Sequence, residues 1–228
     1  MTNSAARPLR ATAQLVVTTW KDDRLVYSAG AGHSIAGVIE TFFRAGGLAH
    51  VRPLWHPDLL PLHGAARSTA AERTEGLGPS VVGASPIRRG DALVIFSSSG
   101  INFYPVEVAR HARERGAAVV AVTSVRASRA APARAGVRLE EIADVVIDTE
   151  VPPGDASWPP GAPETAPLSS VSNTVLWDAV LVLARQLEPG LGLWRSANTA
   201  GGDAGNAALL RRFSALVPEI MGSAQRPG

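Results

Sequence analysis

The tetrapeptide Ser97-Ser98-Ser99-Gly100 follows an apolar run, Leu93–Phe96, and precedes a helix for which Pro105 suits the first turn. A helix start offers unpaired backbone N–H groups and a positive partial charge, and serine hydroxyls add neutral donors without bulk. Such a loop can cradle a phosphate without a lysine. Its plainer reading is a turn with a serine cap. A second loop of small residues, Gly30–Ser34, opens another helix, and Thr123-Ser124 ends a further apolar run. Two cradles on one rim favour a ligand over two ordinary turns. The candidate phosphate-holding residues are therefore Gly32, His33, Ser34, Ser97, Ser98, Ser99, Gly100, Asn102 and Ser124.

Four side chains are candidates for moving protons: Glu75, Glu40, Glu72 and His63. Glu72 and Glu75 stand three apart, which places them on one face of a helix predicted over 64–76. A solvated face balanced by Arg73 explains them equally well. Glu40 lies between the apolar positions Ile39 and Phe42-Phe43 and fits an ordinary boundary residue, and His63 fits a loop histidine without a role. His50, His56 and His111 read as structural. Asn198 and Asp203 sit in a glycine-rich loop that either closes over a site or turns the chain before its last helix.

Several chemistries are excluded by detail. A dinucleotide loop wants G-x-G-x-x-G, but Ile35 stands where its third glycine belongs. A P-loop wants Lys-Ser/Thr after its last glycine, but Val38-Ile39 follow Gly37. The segment Ser97–Asn102 lacks the first glycine of G-x-S-x-G. The chain has no cysteine, which removes disulfides, thiolate metal ligands and cysteine nucleophiles. No H-E-x-x-H is present, so neither a metal nor a cofactor is expected.

The elements that must position these residues alternate. Predicted strands cover 25–29, 50–54, 93–96, 118–122 and 145–147, with helices over 10–20, 35–43, 64–76, 105–116, 169–187 and 203–216. That alternation predicts a parallel sheet covered on both faces, which places ligands at the carboxyl ends of its strands. Residues 151–167, rich in Pro and Gly, read as a long loop. At 228 residues and 46% hydrophobic content the chain suffices for one domain with a full core, taken as 1–228 with a core of about 12–215 and a flexible tail at 218–228. No apolar run reaches membrane-spanning length, and no signal-peptide core is seen, so a cytoplasmic protein without a membrane partner is expected. Net charge is +2, and the basic residues are arginines apart from Lys21. The cluster Arg126–Arg138 has no interleaved aromatics, so nucleic acid is not expected and the cluster reads as a solvated surface loop. The apolar helix 169–187 is too hydrophobic for a wholly solvated face, which points to a homodimer.

Gly30-Ala-Gly-His-Ser34, Phe96-Ser-Ser-Ser-Gly-Ile-Asn102 and Ala121-Val-Thr-Ser124 resemble the sugar isomerase (SIS) domain. Arg44-Ala-Gly-Gly47, Ser68-Thr69 with Glu72-Arg73 and Glu75-Gly76, Pro153-Gly-Asp155, and Ser196-Ala-Asn198 with Gly201-Gly-Asp203 and Asn206 make the likeness closer to one bacterial branch. That branch is related to N-acetylmuramic acid 6-phosphate etherase. The resemblance implies a flavodoxin-like three-layer α/β sandwich with a five-stranded parallel sheet, a dimer, and a phosphosugar held by Ser97, Ser98 and Ser99. From the etherases it implies acid/base chemistry by a Glu followed by Gly, for which Glu75-Gly76 is the nearest match. The branch includes a dehydratase, so the function implied is a lyase that eliminates water from N-acetylglucosamine 6-phosphate, a phosphorylated amino sugar. A carboxylate would remove the proton at carbon 2 of the opened sugar, beside the carbonyl. Loss of the carbon 3 substituent then gives elimination, whereas reprotonation at carbon 1 gives aldose–ketose isomerisation. A non-catalytic phosphosugar sensor is the third reading.

Overall fold

The computed structural model describes residues 3–222. Five strands, β1 (Val26–Gly30), β2 (Val51–Leu54), β3 (Ala92–Phe96), β4 (Ala118–Thr123) and β5 (Val145–Asp148), form one all-parallel sheet in the order β2-β1-β3-β4-β5. The expected five-stranded parallel sheet is the one observed. Side chains alternate across it as the pleat requires. Tyr27, Ala29, Leu93, Ile95, Val119 and Ala121 enter one core, and Val26, Val94, Phe96, Val120 and Val122 enter the other.

Helices cover both faces and complete three layers. The first core is closed chiefly by α4 (Leu77–Gly83), α5 (Phe103–Glu114), α7 (Leu139–Ile142) and α9 (Gly202–Phe213), with the end of α3 (Ala65–Arg73) packed beside them. The second is closed by α1 (Asn3–Lys21), α2 (Ile35–Thr41) and α8 (Ser169–Leu187). In α1, Leu9, Ala13, Val16 and Val17 fall on one face at helical spacing and pack against Val180 and Ala184 of α8 within this core. This explains why α1 extends well beyond the predicted 10–20.

The helix expected over 64–76 ends at Arg73, and a second helix, α4, starts only at Leu77. Thr74 is extended, and Gly76 takes φ +102, a left-handed conformation that a side chain strains to adopt. The buried carboxylate of Glu107 fixes the break: it accepts N–H bonds from Gly76, 2.9 and 3.1 Å from its two oxygens, and from Gly78 at 3.1 Å. One further short helix, α6 (Val125–Arg129), lies inside the predicted arginine loop. The predicted tail is ordered in its first part. Pro218–Ile220 forms a 3-10 turn, with Glu219 paired to Arg52 at 3.1 Å and Ile220 packed on the core, while 223–228 lie outside the described residues. Among the described residues no helix is long and apolar enough to cross a membrane.

His50 is structural, as expected. It is fully buried between Trp20 and Phe213, with Nε2 3.1 Å from the Thr19 hydroxyl. That hydroxyl donates to the Val16 carbonyl, so Nε2 carries the proton and Nδ1 is left without a partner. Burial disfavours the imidazolium and lowers the pKa of His50 to about 4.

Candidate functional site

Strand order reverses between β1 and β3, and a crevice opens there at the carboxyl ends of the strands. Beyond the end of β1 runs Ala31–Ser34, and beyond β3 runs Ser97–Asn102. Both line one cleft of about 500 Å³, together with Thr69 and Glu72 of α3, Ala127 of α6 and the loop Pro152–Asp155. Among the described residues the hydroxyls of Ser34, Ser98 and Ser99 make no hydrogen bond within the chain and remain available to a ligand. The Ser97 hydroxyl instead accepts the Gly100 N–H at 3.2 Å and closes the turn. Gly100 sits behind the cleft at φ +59, where an added Cβ would stand 3.0 Å from Thr123 Oγ1 and 3.2 Å from Leu139 Cβ. A side chain there would be strained, so glycine at this position sets the shape of the loop.

Helix α5 begins at this loop. Its N-cap residue, Asn102, makes no cap bond with its side chain. The amide is used twice elsewhere: Nδ2 donates to Glu72 Oε1 at 2.7 Å, and Oδ1 accepts from Arg134 Nη1 at 2.7 Å. Glu72 is thereby held at the cleft wall. Helix α3 is itself anchored by Ser68, whose hydroxyl donates to the Leu59 carbonyl at 2.8 Å. Thr69 and Glu72, three apart, share the face that looks into the cleft.

The structure thus brings together Gly32, His33, Ser34, Ser97, Ser98, Ser99, Asn102 and Glu72. Other candidates lie elsewhere. Glu75 does not share a helix face with Glu72, because α3 ends at Arg73; it is exposed in the turn before α4 and does not line the cleft. Its neighbour Gly76 serves the turn that Glu107 caps. Glu40 points away along α2 and pairs with Arg44. His63 is exposed in a 3-10 turn outside the cleft. Ser124 is buried: it caps α6 by accepting from Ala127 N at 3.2 Å and donates its proton to the Val151 carbonyl at 2.6 Å, so its hydroxyl is already engaged.

Two polar cleft residues, Thr69 and Asp155, were not among the candidates, although both fall in segments that carry the family resemblance. Asp155 ties the cleft wall to the start of α8, accepting from Leu168 N, Ser169 N and the Ser169 hydroxyl at 3.0, 2.7 and 2.6 Å. The arginine cluster is exposed at Arg126, Arg129 and Arg134, as a surface segment should be, yet Arg134 and Arg138 are also engaged within the chain. Arg138 donates to the carbonyls of Ser128 and Ala131, and Arg134 to Asn102. Among the described residues no group of three or more His, Asp or Glu is arranged to hold a metal.

Residues 1–124 match the family model described as the SIS domain. A UPF0309 protein of Brucella canis is 36% identical over 220 residues, covering 94% of this chain and 90% of the relative, and one of Brucella ovis is 37% identical over the same coverage. Among solved structures, the phosphoheptose isomerase GmhA of Neisseria gonorrhoeae superposes with a TM-score of 0.51 at 21% identity, covering 79% of this chain and 86% of that one. At that identity the likeness shows the fold.

Proposed function

The chain belongs to the SIS domain family and is akin along nearly its whole length to the UPF0309 proteins, and from that premise we propose a phosphosugar enzyme that abstracts the carbon 2 proton with Glu72. The observation that carries this reading is that Glu72 and the serine loop face one cleft. The phosphate sits against the hydroxyls of Ser98, Ser99 and Ser34 and the start of α5, so that every donor is neutral and preformed. The sugar then extends toward α3. Glu72, with Oε1 engaged by Asn102, offers its second oxygen to the proton beside the sugar carbonyl. A base must reach hydrogen-bond distance of the proton it takes, and Glu72 is the carboxylate at the cleft wall that the Asn102 amide holds in place. His33, on the opposite loop, is the candidate to protonate the departing oxygen.

Elimination of water from N-acetylglucosamine 6-phosphate is the outcome we expect, through proton loss at carbon 2 and departure of the carbon 3 hydroxyl as water. Isomerisation shares the first step and then departs from it: the carbon 3 hydroxyl stays and the proton returns at carbon 1. The apolar stripe Val171, Val175 and Val182, exposed along α8, we read as the contact surface of a homodimer.

The test is incubation with a panel of phosphosugars in deuterated water. Exchange at carbon 2 with loss of one water by mass supports elimination; exchange with unchanged sugar composition and a new chromatographic peak supports isomerisation. Glu72→Gln should lower turnover by about 10²–10⁴-fold with binding retained. If wild-type protein binds phosphosugars and never exchanges that proton, the enzyme reading gives way to the sensor.

A further inference from the structure

The bridge behind Glu72 has a property that its distances alone do not state. Asn102 is one of the few polar residues buried at the cleft, 7% exposed, and its amide has two chemically distinct ends. A guanidinium only donates, so Arg134 must face the amide oxygen, which it does at 2.7 Å. That contact leaves the NH₂ end for Glu72 Oε1, also at 2.7 Å. A flipped amide would set NH₂ against the guanidinium and oxygen against the carboxylate, two repulsive contacts in place of two bonds. Arg134 itself is fixed from behind: its backbone N–H donates to the Ile101 carbonyl at 2.9 Å, which lays the loop after α6 across the start of α5. It does not line the cleft.

We propose that Arg134 is a positioning residue, which acts through Asn102 to hold one oxygen of Glu72 and so aim the other at the substrate proton. This rests on the reading of Glu72 as the base. Without Arg134, Asn102 is free to rotate and flip. Glu72 then samples orientations in which its free oxygen misses the proton, and a misplacement of about an ångström can cost on the order of 10²-fold in rate.

The experiment is a double-mutant cycle on carbon 2 exchange and turnover of N-acetylglucosamine 6-phosphate, with Arg134→Met, Asn102→Ala and the pair. Each single variant is expected to lower kcat by about 10–100-fold with KM little changed. The pair should be no slower than Asn102→Ala, since Arg134 has nothing left to orient. Arg134→Lys, which keeps one donor, should recover most of the loss. Should Asn102→Ala fail to fold, Asn102→Asp replaces it: that side chain satisfies Arg134 but sets a negative charge against Glu72, and it too should lower kcat. The Asn102 side-chain amide resonances report the bridge independently of activity and should move toward solvent-like values in Arg134→Met. Additive losses in the pair, or full activity of Arg134→Met in an active wild-type background, overturn the proposal while leaving the base assignment standing. A wild-type protein that exchanges no proton overturns both, and the amide signals then show a bridge of structural use only.

Discussion

Changing Glu107 to Gln tests the idea that one buried carboxylate divides α3 from α4 and so sets where Glu72 ends up. The carboxylate receives the N–H groups of Gly76 and Gly78, at 2.9–3.1 Å, in a site where Glu107 is only 5% exposed. Hydrogen bonds to a charged acceptor contribute roughly 1.5–3 kcal/mol each, and neutral ones roughly 0.5–1.5 kcal/mol. Gln keeps the shape but removes the charge, and it places an NH₂ against N–H groups that can only donate. The two weakened bonds together cost about 2–3 kcal/mol. For a chain of this size that lowers the melting temperature by about 4–12 °C. Glu107→Ala leaves both donors unsatisfied and should cost more. Thermal unfolding followed by circular dichroism measures the loss. Phosphosugar affinity should survive at temperatures where the variant is folded, because Glu107 bonds Gly76 and Gly78 and no residue of the serine loop, whereas turnover should fall as Glu72 loses its backing. A melting temperature within about 2 °C of wild type, or equal losses for Gln and Ala, would refute the reasoning.

Replacing Ser98 and Ser99 together with Ala should weaken phosphosugar binding by at least about tenfold with little change in melting temperature, since among the described residues neither hydroxyl bonds within the chain; calorimetric titration decides it. The buried His50 predicts acid sensitivity. Its folded pKa, about 4, lies below its ordinary value of 6.5, so its contribution to stability is present above pH 6.5 and is lost as pH falls toward 4. By pH 5 the loss is roughly 2 kcal/mol in denaturant titrations, and His50→Gln should flatten that slope. Light scattering at micromolar concentration should give a dimer mass, and Val175→Glu should yield a monomer; a monomeric wild type would sink the reading of the α8 stripe.

The sheet and both cleft loops were legible because buried parallel strands read as unbroken apolar runs, such as Leu93–Phe96, and because Gly and Ser cluster where those runs stop. The α8 boundaries were legible from the same contrast with the Pro-rich loop before them. The break at Gly76 was not, because it depends on Glu107, thirty-one residues later, and no local propensity announces a distant carboxylate. The same reason hides Arg134: charge density in a short window looks solvated until the fold lays one of its arginines on Asn102. Ser124 misled for the opposite reason. Its place at a strand end is right, but the carbonyl of Val151 claims its proton. Glu75 was chosen by motif, and motif position says nothing about which way a turn points.

The packing of α1 against α8 carries a consequence for the order in which the chain is made. Leu9, Ala13, Val16 and Val17 are synthesised long before their partners Val180 and Ala184. At about 5–20 residues per second, that apolar face waits on the order of ten seconds or more without its native cover. The inner strand β1 waits as well, because its register with β3 pairs Val26 with Ala92. A nascent chain with an uncovered helix face and two open edges on β1 exposes the kind of apolar surface and unpaired strand edge that promotes misassembly during synthesis.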